Sequence, residues 1–255
     1  MIFVLMILLA MPLAAEPLAE NQSRFGVITG DVGLLTQGAE NWIEPHEGLP
    51  LDVGDHIRTG EDGRVELVMS DNVLWILEPD SEVVVEHTEV NTGRLDFSDG
   101  RLSGIVDSKR AAGTVQHWEF NTPAAEIAVH GTEFGLTASP QEGTHLGVFS
   151  GSVDIQPAET AEGLQPVTEI SAGKESVVTR KGLIPAQTKF SSAIAALAAR
   201  RAEIRRRQSV IENTWSPFTP TVRKELRQRF VSAPPKHRPV RRVVPRKRHN
   251  PPPVS

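Results

Sequence analysis

Histidine offers this chain its most direct route to metal or acid–base chemistry, and its eight copies are dispersed: His46, His56, His87, His117, His130, His145, His237 and His249. On β-structure a metal site is announced by two histidines at alternate positions of one strand, and on a helix by two at i and i+4. Those spacings bring both imidazoles to one side. Neither spacing occurs here. A histidine site would need distant segments to converge, and two or more imidazoles facing one cavity would favour an enzyme. No G-x-S-x-G nucleophile turn and no phosphate-binding glycine loop is present. Asp52, Asp55, Glu61 and Asp62 cluster around residues 54–63 in an order that does not match a calcium loop, and read as solvated turn residues. Of the four tryptophans, Trp75 and Trp118 sit in apolar runs and read as core, Trp42 lies in a polar stretch and is the one suited to a surface role, and Trp215 follows a helical segment.

The strongest chemical signal is charge. Residues 1–188 carry a net charge of −19 and residues 189–255 a net charge of +14, an asymmetry hidden by the total of −5. The basic part ends in a dispersed cationic arm, Arg223, Lys224, Arg227 and Arg229, then Arg241, Arg242, Arg246, Lys247 and Arg248. Its natural partners are an anionic polymer, lipid headgroups or the protein's own acidic part. Cysteine is absent, which excludes disulfides, thiolate metal sites and a cysteine nucleophile. With 39% hydrophobic and 23% charged residues, the composition suits a soluble globular chain.

Residues 1–15 form an apolar run ending in Leu13-Ala14-Ala15, too short to span a bilayer comfortably and with small residues where a signal peptidase cuts. The expectation is a Sec-type signal peptide at 1–15, a mature chain starting near Glu16, and a periplasmic or secreted location, which excludes most nucleic acid.

Residues 24–182 read as short β-strands separated by Gly, Pro, Asn and Asp clusters. Arg64–Met69 alternates, turns at Ser70-Asp71-Asn72, and returns as Val73–Leu77. That return run is apolar at every position and so is expected to be covered on both faces. Further strands are expected at Gly26–Leu35, Leu49–Thr59, Glu82–Glu86, Arg94–Phe97, Arg101–Val106, Thr114–Phe120, Glu126–Val129, Glu133–Thr137, His145–Phe149, Ser152–Ile155, Thr168–Ile170 and Ser176–Thr179. So many short strands at close spacing predict an all-β antiparallel sandwich or barrel. Between two of them, Gly131 stands where a residue with φ > 0 or a close backbone approach makes a sharp corner.

After Gly182 the pattern becomes helical. Ser191 or Ser192 caps a helix running to about Asn213, with Phe190, Ile194, Leu197, Ile204 and Ile211 on one narrow seam and Arg200, Arg201, Arg205, Arg206 and Arg207 around it. The seam is expected to lie on the β-domain with its arginines solvated, or to bind a partner. Thr219-Pro220 opens a second helix with Val222, Leu226 and Phe230 on one stripe, which completes a helical region at 190–231. Residues 232–255 are basic and Pro-rich and are expected to be disordered.

Two stretches resemble the FecR domain, the periplasmic iron-dicitrate sensor family. One is Gly54-Asp55-His56-Ile57-Arg58-Thr59-Gly60 before the hairpin. The other is Thr122-Pro123-Ala124-Ala125 leading into Val129-His130-Gly131-Thr132-Glu133-Phe134 and the strand of Val148 to Val153. Where the family has arginine in the second motif, this chain has His130. The resemblance spans about residues 26–180 and implies a jelly-roll-like β-domain in which Thr122, Pro123, Gly131, Thr132 and Phe134 are structural. It further implies a non-enzymatic binding or sensing module of the bacterial envelope, with no cofactor, metal or small-molecule substrate indicated and an envelope protein or anionic polymer as partner. The founding members regulate sigma factors through a cytoplasmic segment that is not recognised here. The alternative expectation is a structural envelope component anchored by its basic arm.

Overall fold

The computed structural model describes residues 16–107, 116–158, 166–179 and 182–232; side chains 183–185 and 232 are not described. The expected signal segment and residues 233–255 of the arm lie outside the described residues.

The fold is mostly β: a near-closed, barrel-shaped sheet followed by three helices. Among the described residues 15 strands form it. Strands β1 (Arg24–Thr29), β2 (Val32–Leu35), β3 (His56–Thr59), β4 (Arg64–Ser70), β5 (Val73–Leu77) and β6 (Glu82–Thr88) lead to β7 (Thr92–Val106). Then follow β8 (His117–Asn121), β9 (Ala125–Val129), β10 (Glu133–Ser139), β11 (Gly143–Ser150), β12 (Ser152–Pro157), β13 (Thr168–Ser171), β14 (Lys174–Thr179) and β15 (Gly182–Gln187).

The 15-residue β7 is the hinge of the architecture. Its first half pairs β6 and, in parallel, β8, while its second half pairs β5 and β10. One half-sheet therefore runs β2-β3-β6-β7-β8-β9-β12-β13 and the other β1-β4-β5-β7-β10-β11-β14-β15. The sequence suggested two strands, Arg94–Phe97 and Arg101–Val106, but they are one strand bent at Gly100, whose φ is +108°. Conversely, the single strand expected over Gly26–Leu35 is broken at Gly30-Asp31, and Leu49–Asp55 is loop rather than strand. Alternation fills the interior from both halves. Trp75, Trp118, Phe97, Phe120 and Phe134 are fully buried, and Trp75 meets Phe120 at 5.1 Å and Trp118 at 5.8 Å in edge-on packing.

The chain crosses between half-sheets at Gly131. β9 belongs to one half and β10 to the other, and Gly131 sits between them at φ +80°. Next to it the buried Thr132 hydroxyl donates to the Ser152 carbonyl (2.6 Å). Upstream, Thr122 Oγ1 accepts the Ala125 N–H (2.9 Å) and bonds the Thr144 hydroxyl (2.7 Å), closing the turn that Pro123 occupies.

Helices α1 (Ser192–Ala198), α2 (Arg201–Thr214) and α3 (Pro220–Ser232) cover part of the outside. The helix expected to run unbroken to Asn213 is interrupted at 199–200. Ser191 caps α1 by accepting the Ile194 N–H, and the buried Glu175 carboxylate accepts the Ser191 N–H (2.5 Å). α1 sits low on β10 and β11 because Gly135 and Gly147 have no side chains there: a Cβ on Gly147 would collide with Ile194, and one on Gly135 would press on Leu197. α2 buries Ile204 and Ile211 on the outward-facing Val68, Leu74, Ile76 and Ile105. This explains why β5 is apolar at every position: Trp75 faces the interior, while Leu74 and Ile76 face the helix.

The expectation of solvated helix arginines is corrected for Arg200, Arg201, Arg205 and Arg207, while Arg206 is exposed as expected. Outward-facing carboxylates ring the apolar patch, and each meets a guanidinium. Arg207 is bidentate on Glu66 (2.6 and 2.8 Å), and Arg200 pairs with Glu78 (2.6 Å). Arg201 and Arg205 share Glu133, and Arg64 reaches across to Glu203 (2.7 Å). The side chains of Glu78, Glu66 and Glu133 are only 3%, 6% and 13% exposed, so each needs its cation. Burial pushes the Glu133 carboxyl up, but the hydrogen bonds from Arg205 and Arg201 outweigh it and leave the group below the usual range.

α3 is held differently. Arg223 donates to the Ser23 and Leu51 carbonyls and to Asp52; Arg227 donates to the Pro50 carbonyl (3.0 Å) and pairs with Asp52 and Asp55. Phe230 meets His46 edge-on, while Val222, expected on the packed stripe, is exposed. Nearby, Arg24 lies between Trp215 and Phe218, 4.2 and 3.8 Å from their ring centres, and burial with the charge of Arg223 pulls it down to about 10.

Candidate functional site

Where the helices stop, no described element covers the sheet. On the half-sheet β7-β8-β9-β12, inward residues alternate with outward polar ones: Arg94 and Asp96 on β7, His117, Glu119 and Asn121 on β8, Glu126 and Ala128 on β9, Asp154 and Gln156 on β12. Register aligns them in rows. Arg94 is opposite Glu119, Glu119 opposite Ala128, and Ala128 opposite Asp154; in the next row Asp96, Asn121, Glu126 and Gln156 follow one another. A methyl group at the centre of a field of long polar side chains leaves a depression. Ala128 is that centre, and the open groove over it, about 380 Å³, is rimmed by Arg94, His117, Glu119, Glu126, His130, Asp154 and the exposed Val167.

Charge and hydrogen bonding organise the rim. Arg94 reaches Glu119 Oε2 at 2.5 Å, and His117 Nε2 lies 2.7 Å from Glu119 Oε1. Burial pushes Glu119 up, but the hydrogen bonds from His117 and Arg94 outweigh it and leave the carboxyl lowered; the same contact raises Arg94. The His117 and His130 rings lie 5.2 Å apart and 32° from parallel. His130 Nδ1 is 3.4 Å from the Gln116 carbonyl, and its Nε2 is 3.9 Å from Asp154. Gln156 donates to Glu126 at 2.5 Å, and Asn121 to Asp96 at 2.9 Å.

Two histidines thus converge from segments 13 residues apart, the arrangement that was expected to favour an enzyme. The rim can exchange protons and pair with charge, but none of its side chains is a hydroxyl or thiol nucleophile. No group of three or more His, Asp or Glu with metal-holding geometry occurs among the described residues. The rim's side chains can pair with charge and with hydrogen-bonding groups.

The residues singled out in the sequence fall elsewhere. Thr122, Gly131, Thr132 and Phe134 make the turn, corner and core described above. Arg223 and Arg227, expected to reach an external polyanion, are only 12% exposed and are turned to the protein's own Asp52 and Asp55. Asp55 is correspondingly not the solvated turn residue expected, and Asp52, its side chain 44% exposed, meets both arginines. Lys224 is exposed, and Arg229, 78% exposed, has Glu225 at 3.4 Å. Arg241, Arg242, Arg246, Lys247 and Arg248 lie outside the described residues. Trp42 is half-buried, with one face covered by the Arg58 guanidinium at 4.0 Å. The groove itself was missed. Its signal is the outward set of three successive strands, His117-x-Glu119, Glu126-x-Ala128-x-His130 and Asp154-x-Gln156, visible only once pairing is known. No described helix is long and apolar enough to cross a membrane.

Most of the groove lies in a recognised region, with Gln156 and Val167 beyond its end. The family model described as FecR protein matches residues 55–154. Two crystal structures of a candidate anti-sigma factor from Parabacteroides distasonis ATCC 8503, at 1.65 and 2.50 Å, are similar at 14% identity and a TM-score of 0.45. The similarity covers 56% of this chain and 64% and 63% of those chains, so less than two thirds of either relative is spanned. No curated protein matches.

Proposed function

Because the chain carries a FecR family domain at residues 55–154, we propose that it is an exported, non-enzymatic binding or sensing module of the bacterial envelope whose recognition surface is the groove over Ala128. The observation that carries this reading is the asymmetry of the sheet's outside. One face is sealed by helices, while the groove's face keeps an ordered polar rim around a vacant small residue. Outward polar side chains have no folding need to converge on a concavity, so a rim of this kind fits ligand recognition. The apolar run at 1–15 supports export and a mature chain starting near Glu16.

The anionic-anchor reading loses Arg223 and Arg227 to internal pairing and rests on Lys224, Arg229 and residues beyond 232.

The test places a photo-reactive side chain at Ala128 in the full-length protein in its native host. The expected result is a discrete cross-linked species in the envelope fraction. It should be absent when the photo-reactive group is placed instead at Val210 on the helical face. Recovery of the protein in the cytoplasm with residues 1–15 intact, or equal labelling from both positions, would overturn the proposal.

A further inference from the structure

We propose that the groove over Ala128 is also the docking site of the chain's own C-terminal segment, residues 233–255, which therefore competes with any external ligand. The inference rests on the reading of the groove as a recognition surface and assigns it the chemistry of a cationic, extended peptide.

Charge is the first argument. Glu119, Glu126 and Asp154 surround Ala128, and Arg94 is the rim's permanent cation, so with neutral histidines the rim holds a formal excess of two negative charges. Arg94 is already committed to Glu119. Glu126 holds only an amide donor from Gln156, and Asp154 faces His130 at 3.9 Å, so both retain acceptor capacity for a guanidinium or ammonium. Residues 233–255 contain seven Lys and Arg and no Asp or Glu.

Position is the second. α3 ends at Ser232 and is latched by Arg227 to Asp55, immediately before β3. β3 pairs β6, β6 pairs β7, β7 pairs β8, β8 pairs β9 and β9 pairs β12, and the last two carry Glu126 and Asp154. Five strand spacings are about 24 Å. The segment from Ser232 to Lys247 reaches about 50 Å when extended, so the Arg246-Lys247-Arg248 triplet has length to spare. A tether of this length holds the local concentration near the millimolar range, which favours the attached segment over a free peptide of the same chemistry. The pairing of the other basic residues supports the same choice: Arg200, Arg201, Arg205, Arg207, Arg223 and Arg227 meet carboxylates within the fold, so the block of basic charge whose chemistry matches Glu126 and Asp154 is the arm.

Carbodiimide cross-linking of the intact chain tests this, because Lys236 and Lys247 supply amines and the rim supplies carboxylates. Monomeric protein at low salt should give amide links from Lys236 or Lys247 to Glu126 or Asp154. Their yield should fall about tenfold between 0.1 and 1 M salt, as the screening length shrinks from about 10 to about 3 Å. In the double variant Glu126→Gln, Asp154→Asn, with an unchanged melting temperature, tryptic cleavage of the arm should accelerate to the rate seen in high salt. Links only to acids elsewhere, such as Glu61 or Asp99, would overturn the proposal, as would links found only in dimers or an arm cleaved equally fast in the wild type and the variant. Failure here with ligand still captured from Ala128 would leave the groove's binding role standing. Failure of that capture with arm links intact would make the groove purely an intramolecular dock.

Discussion

The two outer faces of this β-domain are built on the same alternation and filled to opposite ends. On β4, β5 and β10 the outward positions are Val68, Leu74, Ile76 and the buried carboxylates Glu66 and Glu133, and a helix lies over them. On β8, β9 and β12 the outward positions are His117, Glu119, Glu126, Ala128 and Asp154, and no described element lies over them. The difference teaches how to read a carboxylate on a strand. A glutamate beside outward apolar residues is waiting for a partner from the same chain. A glutamate among other polar residues around a small one is free to meet something else. Removing charge should therefore be costly on the first face and nearly silent on the second.

The sharpest way to break that contrast is at α3. Asp55 is fully buried, and burial pushes its carboxyl up despite the Arg227 charge and the Asp52 N–H that work against it. Arg227→Ala leaves this group without its counter-ion and should cost about 3–5 kcal/mol near neutral pH, read as a fall in denaturation midpoint. A raised carboxyl favours the folded state most when protonated, so its contribution is present at low pH and lost as pH rises through the folded pKa. The Arg227→Ala penalty should accordingly shrink in acid. A penalty below 1 kcal/mol at neutral pH would show that α3 is not latched where Arg227 meets Asp55.

Next comes the corner between the half-sheets. Gly131→Val forces a β-branched residue into φ +80° and should cost roughly 1–3 kcal/mol, whereas His130→Ala, exposed one residue earlier, should cost far less. Equal melting temperatures for the two would remove the strain argument.

The α2 clamp should answer pH in the opposite direction to Asp55. Glu133 and Glu203 are lowered in the folded state, Glu133 because its arginine hydrogen bonds outweigh burial and Glu203 chiefly through its bond from Arg64. Lowered carboxyls contribute stability above their unfolded pKa and lose it as pH falls through the folded value. Amide exchange in α2 should thus accelerate below about pH 4.5, the ordinary glutamate value, ahead of exchange in β5. Simultaneous loss of both would show that α2 and the sheet open as one unit.

How much of this was legible beforehand follows from the range of each interaction. The hairpin of β4 and β5, the core roles of Trp75 and Trp118, and the double-sided cover on Val73–Leu77 are written in local alternation. Gly131's corner is written in one residue. The split of Gly26–Leu35, the fusion of β7 and the break at 199–200 depend on tertiary geometry: β7 stays continuous only because two half-sheets share it. The Arg–Glu clamp joins residues separated by as much as 141 positions, so counting charges located the two blocks but not their pairing. The groove was hidden for the same reason, since Ala128 is unremarkable until Glu119 and Asp154 are known to flank it.

The smallest expected effect is on the bare face, and it sets the other end of the comparison. Glu126 and His130 are exposed; Glu126 meets an amide donor, and His130 meets the Gln116 carbonyl at 3.4 Å, the His117 ring and a carboxylate at 3.9 Å. Surface positions of this kind usually change stability by no more than about 0.5 kcal/mol. Glu126→Gln and His130→Ala should therefore melt within a degree or two of the wild-type protein, alone and together, since no shared buried partner couples them. A loss of about 2 kcal/mol or more from either would mean that the rim holds the sheet together. The polar convergence around Ala128 would then be architecture, as on the helical face, and the distinction between the two faces would collapse.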